Sequence, residues 1–452
     1  MGLLAIELND AGIVVAKNQE LLPASPGYAL LDRKQLIVGA DAHRRAHLKP
    51  GLINNDFWRR LSQETLPQPS PYAQTYADLV YAHLAQIWEA TKTGTDGVLF
   101  AVPGSFDKAQ LGLLLGIAKA LFIPVVGMVD AAVAAVETRS ASGRLLHLEI
   151  QLHQTVLTIL ETETQERTAV EVLPKFGIVS AYESWAKLIA DQFVRTTRFD
   201  PFHRGSTEQA LYDELPAWLH RLSTQPEAVL EMHASDLVYS TTLKRDQLVL
   251  AVEDRYDGIV QRVSAQTQSD TVLQVSDRLA ALPGLLARLR SVRECQVLSL
   301  KPGAAALGTL RHAEHIRWPG QSIVLITRLP RPGTLAPSSG SQDRPGPARR
   351  RPTHVVYQGL AYPIGEAPLK IGCGLGPQDS GISVAGTGVA PLHCAITLRG
   401  HKVLVEDYSS DGTFVNGEKI EVCAVLWSGD QVTFGTLGEG LQLVAVVSDH
   451  EA

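Results

Sequence analysis

Cysteine is scarce: four residues in 452, at positions 295, 373, 394 and 423, none spaced as Cys-x-x-Cys. That excludes a zinc-ribbon or thioredoxin-type motif and favours reduced thiols. Methionines number 3 and aromatics make up 6% of the chain. No apolar run reaches the roughly 18 residues that a membrane-crossing helix needs. Met1-Gly-Leu-Leu-Ala carries no basic leader and runs straight into a strand pattern, so a cytoplasmic protein without membrane insertion is expected. Charge of one sign is also lacking, with 41 Lys and Arg against 47 Asp and Glu. Only Arg349-Arg350-Arg351 forms a basic run, too short for a nucleic-acid surface. His43 and His47, at i, i+4 spacing, have no nearby third ligand and two arginines between them, so a solvated helix face rather than a metal site is expected. No nucleophile–base pair can be placed from sequence, and no catalytic residue is expected.

What is present is a long alternation of strand and helix patterns, in a chain long enough for two or three domains. Gly97-Val-Leu-Phe-Ala-Val reads as a buried strand. Ser105 or Asp107 is placed to cap a helix whose Leu111, Leu114, Leu115 and Ala118 recur at helical spacing. Ile123-Pro-Val-Val-Gly predicts the next strand, residues 130–136 a short helix, and Leu145–Ile150 with Thr155–Leu160 two strands meeting at Gln151-Leu-His-Gln154. Upstream, Leu3–Glu7 and Gly12–Ala16 read as a strand pair, and Tyr76, Leu79, Val80, Leu84, Ile87 and Trp88 form a helical stripe. Downstream, the pattern predicts a helix over 182–195, a second helix capped by Thr207, and strands at Ala228–His233 and Asp236–Thr241.

This order resembles the nucleotide-binding core of the actin and heat-shock-70 ATPases. The resemblance implies an α/β, two-lobed nucleotide-binding fold over residues 1–328, with an insertion subdomain at about 166–275. In that family, glycine-rich hairpins let phosphate oxygens reach bare backbone amides. Here Glu7, Asn9 and Asp10 stand where the family has aspartate, glycine and threonine, and the second hairpin, Glu149-Ile-Gln151-Leu-His-Gln154, has no glycine. Arg59 stands for a catalytic lysine, Asp130 for a glutamate, and Asp277-Arg278 for the glycine pair beside adenosine. A carboxylate about 4 Å from a triphosphate costs about 4 kcal/mol at an effective dielectric near 20, roughly a thousandfold in affinity. These residues therefore mark a remnant cleft, and no cofactor is expected; ATP with magnesium is the alternative. Lys301–Leu310 matches the family's closing helix through its small packing residues. The peptide-binding domains of heat-shock-70 chaperones are missing, which disfavours a refolding cycle.

Residues 329–353 shift to Pro, Gly, Ser and Arg and read as a mobile linker. Residues 354–449 then alternate as short strands around an Asn416-Gly417 turn, the pattern of a β-sandwich. Ile371-Gly372, Val389-Ala-Pro-Leu-His393 and Ser409-Ser410-Asp411-Gly-Thr413-Phe-Val-Asn416-Gly417 resemble the signature of a forkhead-associated (FHA) domain, a reader of phosphothreonine. The resemblance places Cys373 where an arginine would pair with phosphate, Ala390 where a serine would donate to it, and Asp411 where an asparagine would hold the peptide; His393 and Asn416 remain and read as structural. Losing a charge-assisted contact of about 1.5–3 kcal/mol and a neutral one near 1 removes most phosphate-specific attraction. From His354 onward, four Lys and Arg face eleven Asp and Glu, a balance of −7 beside −6 for the whole chain. Phosphopeptides are disfavoured, and a partner protein with a basic surface is favoured. The expectation is a non-catalytic adaptor; the alternatives are a nucleotide-binding regulator and a phosphothreonine adaptor.

Overall fold

The computed structural model describes residues 2–32, 34–137, 143–162, 164–174, 176–234, 237–317, 323–330, 351–357, 360–375, 381–384, 388–434 and 439–445. Most of the linker, including Arg349 and Arg350, and the expected start of a strand at Asp236 lie outside these residues. The chain forms mixed α/β sheets followed by a pair of all-β sheets.

The first sheet runs Leu325–Ile326, Val125–Asp130, Gly97–Val102, Leu3–Glu7, Val14–Lys17, Glu20–Leu21. Leu3–Glu7 is antiparallel to Val14–Lys17 and parallel to Gly97–Val102. All six residues of Gly97–Val102 are buried, as expected for a strand covered on both faces. Helices follow where the sequence supplies caps. Thr75 and Asp78 form a capping box for Tyr76–Thr91, and Asp107 and Gln110 do so for Lys108–Ala120. Each box satisfies backbone donors that the first helical turn would otherwise leave unpaired.

The second sheet repeats the plan in the order Arg167–Pro174, Gln154–Glu161, Arg144–Ile150, Thr271–Val275, Cys295–Ser299. Again a three-strand antiparallel meander gives way, at its first strand, to parallel neighbours, two here and three in the first sheet. Helices Ile178–Thr197 and Gly205–Thr224 pack over it with the Glu227–Ala234/Leu237–Lys244 hairpin, burying Trp185, Phe193, Trp218 and Tyr256. The expected cap at Thr207 is corrected: the helix starts at Gly205, and the Thr207 hydroxyl lies inside the first turn, donating to the Pro201 and Arg204 carbonyls. Between the sheets, Ala304–Arg311 crosses the short helix Ala131–Ala134. A Cβ on Gly308 would lie 1.8 Å from the Ala134 carbonyl oxygen, so only glycine permits that approach.

The C-terminal strands form two packed sheets around Val355, Ile371, Ile396, Val405, Phe434 and Leu443. Asn416 and Gly417 both have positive φ, 54° and 88°, and Val415 pairs directly with Glu418, so the turn is a two-residue hairpin loop. The sandwich packs against the first sheet's helices. The buried His354 ring meets Gly112 of the Lys108–Ala120 helix, where an added Cβ would lie 2.8 Å from the imidazole, and Leu360 packs onto the core around the first sheet.

Candidate functional site

The hairpin turns of the two sheets meet through their side chains. Asn9 accepts from its own Ala11 N–H (2.9 Å), which tightens the turn, and its amide donates across to the Glu149 carboxylate and to the Ile150 carbonyl (3.0 Å). Asp10 accepts from the Leu152 N–H at 2.8 Å. From the short helix Asp277–Ala280, Arg278 donates to the Gly12 carbonyl at 2.5 Å and pairs with Glu7 at 3.3 Å, while Glu7 also accepts from the Ala306 N–H at 3.2 Å. Glu7, Asn9, Asp10 and Glu149 are all buried. The two turns are thus latched by their own side chains.

That arrangement carries a cost in buried charge. Burial pushes the Asp10 carboxyl up to about 7, although the Leu152 hydrogen bond opposes it, and burial with the nearby Glu7 pushes Glu149 up to about 8. Asp130 is fully buried, caps Ala132 and Val133, and pairs with Arg167 at 2.8 Å; burial raises its pKa despite that partner.

The structure therefore brings together Glu7, Asn9, Asp10, Glu149 and Arg278. It leaves the other expected cleft residues with local partners. Arg59 is forked onto Asp56 at 2.6 and 2.8 Å, Gln151 accepts from Gln154 within its own hairpin at 2.6 Å, and Asp277 lies half-buried in the first turn of a short helix. The Arg278 guanidinium reaches Glu7 and the Gly12 carbonyl at the first sheet's hairpin turn. The solvated face expected for His43 and His47 is also corrected. His47 stacks on Tyr212 with ring centroids 3.6 Å apart and lies 3.0 Å from Glu208, and His43 meets the Tyr28 ring edge-on. The His47 contacts join residues some 160 positions apart, whereas His43 and Tyr28 are near neighbours in sequence. Among the described residues, no group of three or more His, Cys, Asp or Glu is placed to hold a metal ion.

In the sandwich, the expected partner-binding residues divide into scaffold and surface. His393 is fully buried: its Nδ1 accepts from the Ala390 N–H (3.1 Å) and its Nε2 lies 3.3 Å from the Gly412 carbonyl, tying two loops together. Asp407, which sequence reasoning missed, accepts from the Ser409 N–H and hydroxyl and from the Thr413 N–H and hydroxyl, at 2.9–3.1 Å. Burial raises this carboxyl, but the four hydrogen bonds hold it below its usual range. An aspartate two residues before a serine, just upstream of the loop motif, is the turn signal that would have found it. Asn416 donates to Asp430 and accepts from the Gln431 N–H, which makes it a turn anchor. Thr413 is buried beside Asp407, and Ser409 is half-buried, accepting from the Gly412 N–H. Cys373, Ser410 and Asp411 face solvent, with Tyr408 exposed alongside. The Cys373 thiol donates to the Val389 carbonyl at 3.1 Å, so that position supplies no positive charge.

Residues 369–435 match the family model of the FHA domain. No curated protein matches the chain. FHA domains bind partner proteins, usually through phosphothreonine peptides. The match covers the expected loop residues from Cys373 to Asn416 and supports a protein-interaction role. No helix among the described residues is long and apolar enough to cross a membrane.

Proposed function

We propose that the chain is a non-catalytic adaptor: an actin/heat-shock-70-like two-lobed body over 1–328 that no longer takes a nucleotide, joined through 329–353 to an FHA domain within 354–449. Two sheets built on one plan, with hairpin turns facing each other, support the two-lobed reading. The observation that carries the loss of nucleotide binding is the Asp10–Leu152 hydrogen bond. In such a cleft a phosphate oxygen needs a hairpin N–H, and here a carboxylate from the facing turn already holds one. Around it, Glu7 is already paired with Arg278 and Glu149 with Asn9, so these side chains fill the space between the turns.

The FHA domain, on this proposal, binds a partner protein without reading phosphate. Cys373 and Ala390 offer neither the charge nor the hydroxyl for a phosphate, while Asp411 and the −7 balance from His354 onward favour a basic surface. The test uses the full chain with Mg-ATP and with matched phosphothreonine and unphosphorylated peptide libraries. No heat of nucleotide binding and equal retention of the two libraries is the expected result. A micromolar Kd for Mg-ATP would establish a nucleotide-binding regulator instead, and retention lost on dephosphorylation would establish a phosphothreonine adaptor.

A further inference from the structure

Beside the latched turns, a cavity of about 380 Å³ remains open between the lobes. Ala11 and Leu152, one from each turn, contribute to its wall, so it begins where the latch ends. Its size falls in the range of small-molecule sites. Three tyrosine rings line it, Tyr28 from the first lobe and Tyr182 and Tyr212 from the second, together with the His43 and His47 rings and the Glu183 carboxylate. No lysine or arginine is among its lining residues. Asp277 and Arg278 do not line it either, so it is separate from the adenosine side of the cleft.

We propose that this cavity binds a small organic ammonium ion. Aromatic faces attract a cation through their quadrupole, most strongly when the cation is shielded from water, and three tyrosines line this cavity, Tyr212 with one face already stacked on His47. Glu183 is exposed at the cavity and has no ion-pair partner among the described residues, so its charge is available to an incoming cation. Burial lowers the pKa of His43, which keeps that ring uncharged near neutrality and removes the repulsion a histidinium would add. Glu208, which holds His47, and Asp213, whose charge acts on His43, lie on the neighbouring helix and carry the same sign as Glu183. An anion entering here would meet the Glu183 carboxylate and no lysine or arginine on the lining, whereas a cation would meet that carboxylate and the aromatic rings. Because its walls come from both lobes, the bound cation would also bridge them. This site does not depend on the fate of the nucleotide cleft.

The test compares choline chloride with its neutral isostere 3,3-dimethyl-1-butanol on the full chain, by calorimetry and thermal unfolding, with Mg-ATP as a separate arm. Choline is expected to bind at least about tenfold more tightly than the isostere and to raise Tm. Glu183→Gln and Tyr212→Leu should each weaken choline by about tenfold, while Tyr212→Phe, which keeps the ring, should retain it. Glu183 is exposed, so its variant reads binding rather than folding. Equal affinity for the two compounds, no saturable heat at millimolar choline, or undiminished binding to Glu183→Gln would overturn the proposal. The Mg-ATP arm reports on the latch alone, so the two claims fail separately.

Discussion

Replacing Asp10 with asparagine isolates the energetics of the latch. The side-chain oxygen that accepts from Leu152 at 2.8 Å is kept in Asp10→Asn, but the group can no longer ionise. In the folded protein, burial holds this carboxyl at about 7 against an ordinary 3.8. Between those values the folded state keeps a proton that the unfolded chain releases. The contribution to stability is therefore complete below 3.8 and is lost as pH rises toward 7. One group titrating this way changes stability by at most about 1.4 kcal/mol per pH unit, so from pH 5 to 7 the parent should lose up to about 3 kcal/mol relative to the variant. Glu149, held at about 8 against 4.5, adds a decline of its own in both proteins and cancels in the difference. Urea unfolding of the two proteins at pH 5, 6 and 7 and constant ionic strength measures the gap. A gap that widens in favour of the variant as pH rises is expected. A gap that stays flat, or closes, would refute a buried Asp10 held by the facing turn.

Gly308→Ala should cost about 1–3 kcal/mol, read as a lower Tm, because the new methyl would lie 1.8 Å from the Ala134 carbonyl and the two helices must separate. His393→Ala should destabilise the FHA domain by about 2–4 kcal/mol in denaturant melts, since it opens a cavity and leaves the Ala390 N–H and the Gly412 carbonyl without their shared partner. The double change Cys373→Arg with Ala390→Ser should restore about 2–4 kcal/mol of phosphate attraction, giving a preference of roughly a hundredfold for phosphothreonine over threonine peptides in anisotropy titrations.

Local and periodic features were legible in the sequence. The Asp107 cap, the Tyr76–Trp88 stripe, the Leu145–Leu160 hairpin and the Asn416-Gly417 turn all depend on residues a few positions apart, and the structure contains each of them. The FHA domain was legible too, since its motif residues lie close together within 369–435. What could not be read was pairing at long range. That Asn9 reaches Glu149, Asp10 reaches Leu152 and Arg278 reaches Gly12 depends on how two sheets face each other, and the separations exceed 130 residues. The same limit explains His47, whose i, i+4 spacing from His43 describes one helix face while its partners Glu208 and Tyr212 lie over 160 residues away. Thr207 was misplaced for a different reason. A threonine hydroxyl bonds as readily to the preceding carbonyls as to the amides ahead, and here Pro201 and Arg204 take it.

Amide exchange at Leu152, followed on the full chain with and without a millimolar non-hydrolysable Mg-ATP analogue, tests the central claim most directly. The latched arrangement predicts a protected Leu152 amide whose exchange rate does not change when the nucleotide is added. A Leu152 amide that exchanges freely alone and becomes protected with the analogue would show that the N–H is available to phosphate, and would contradict the account.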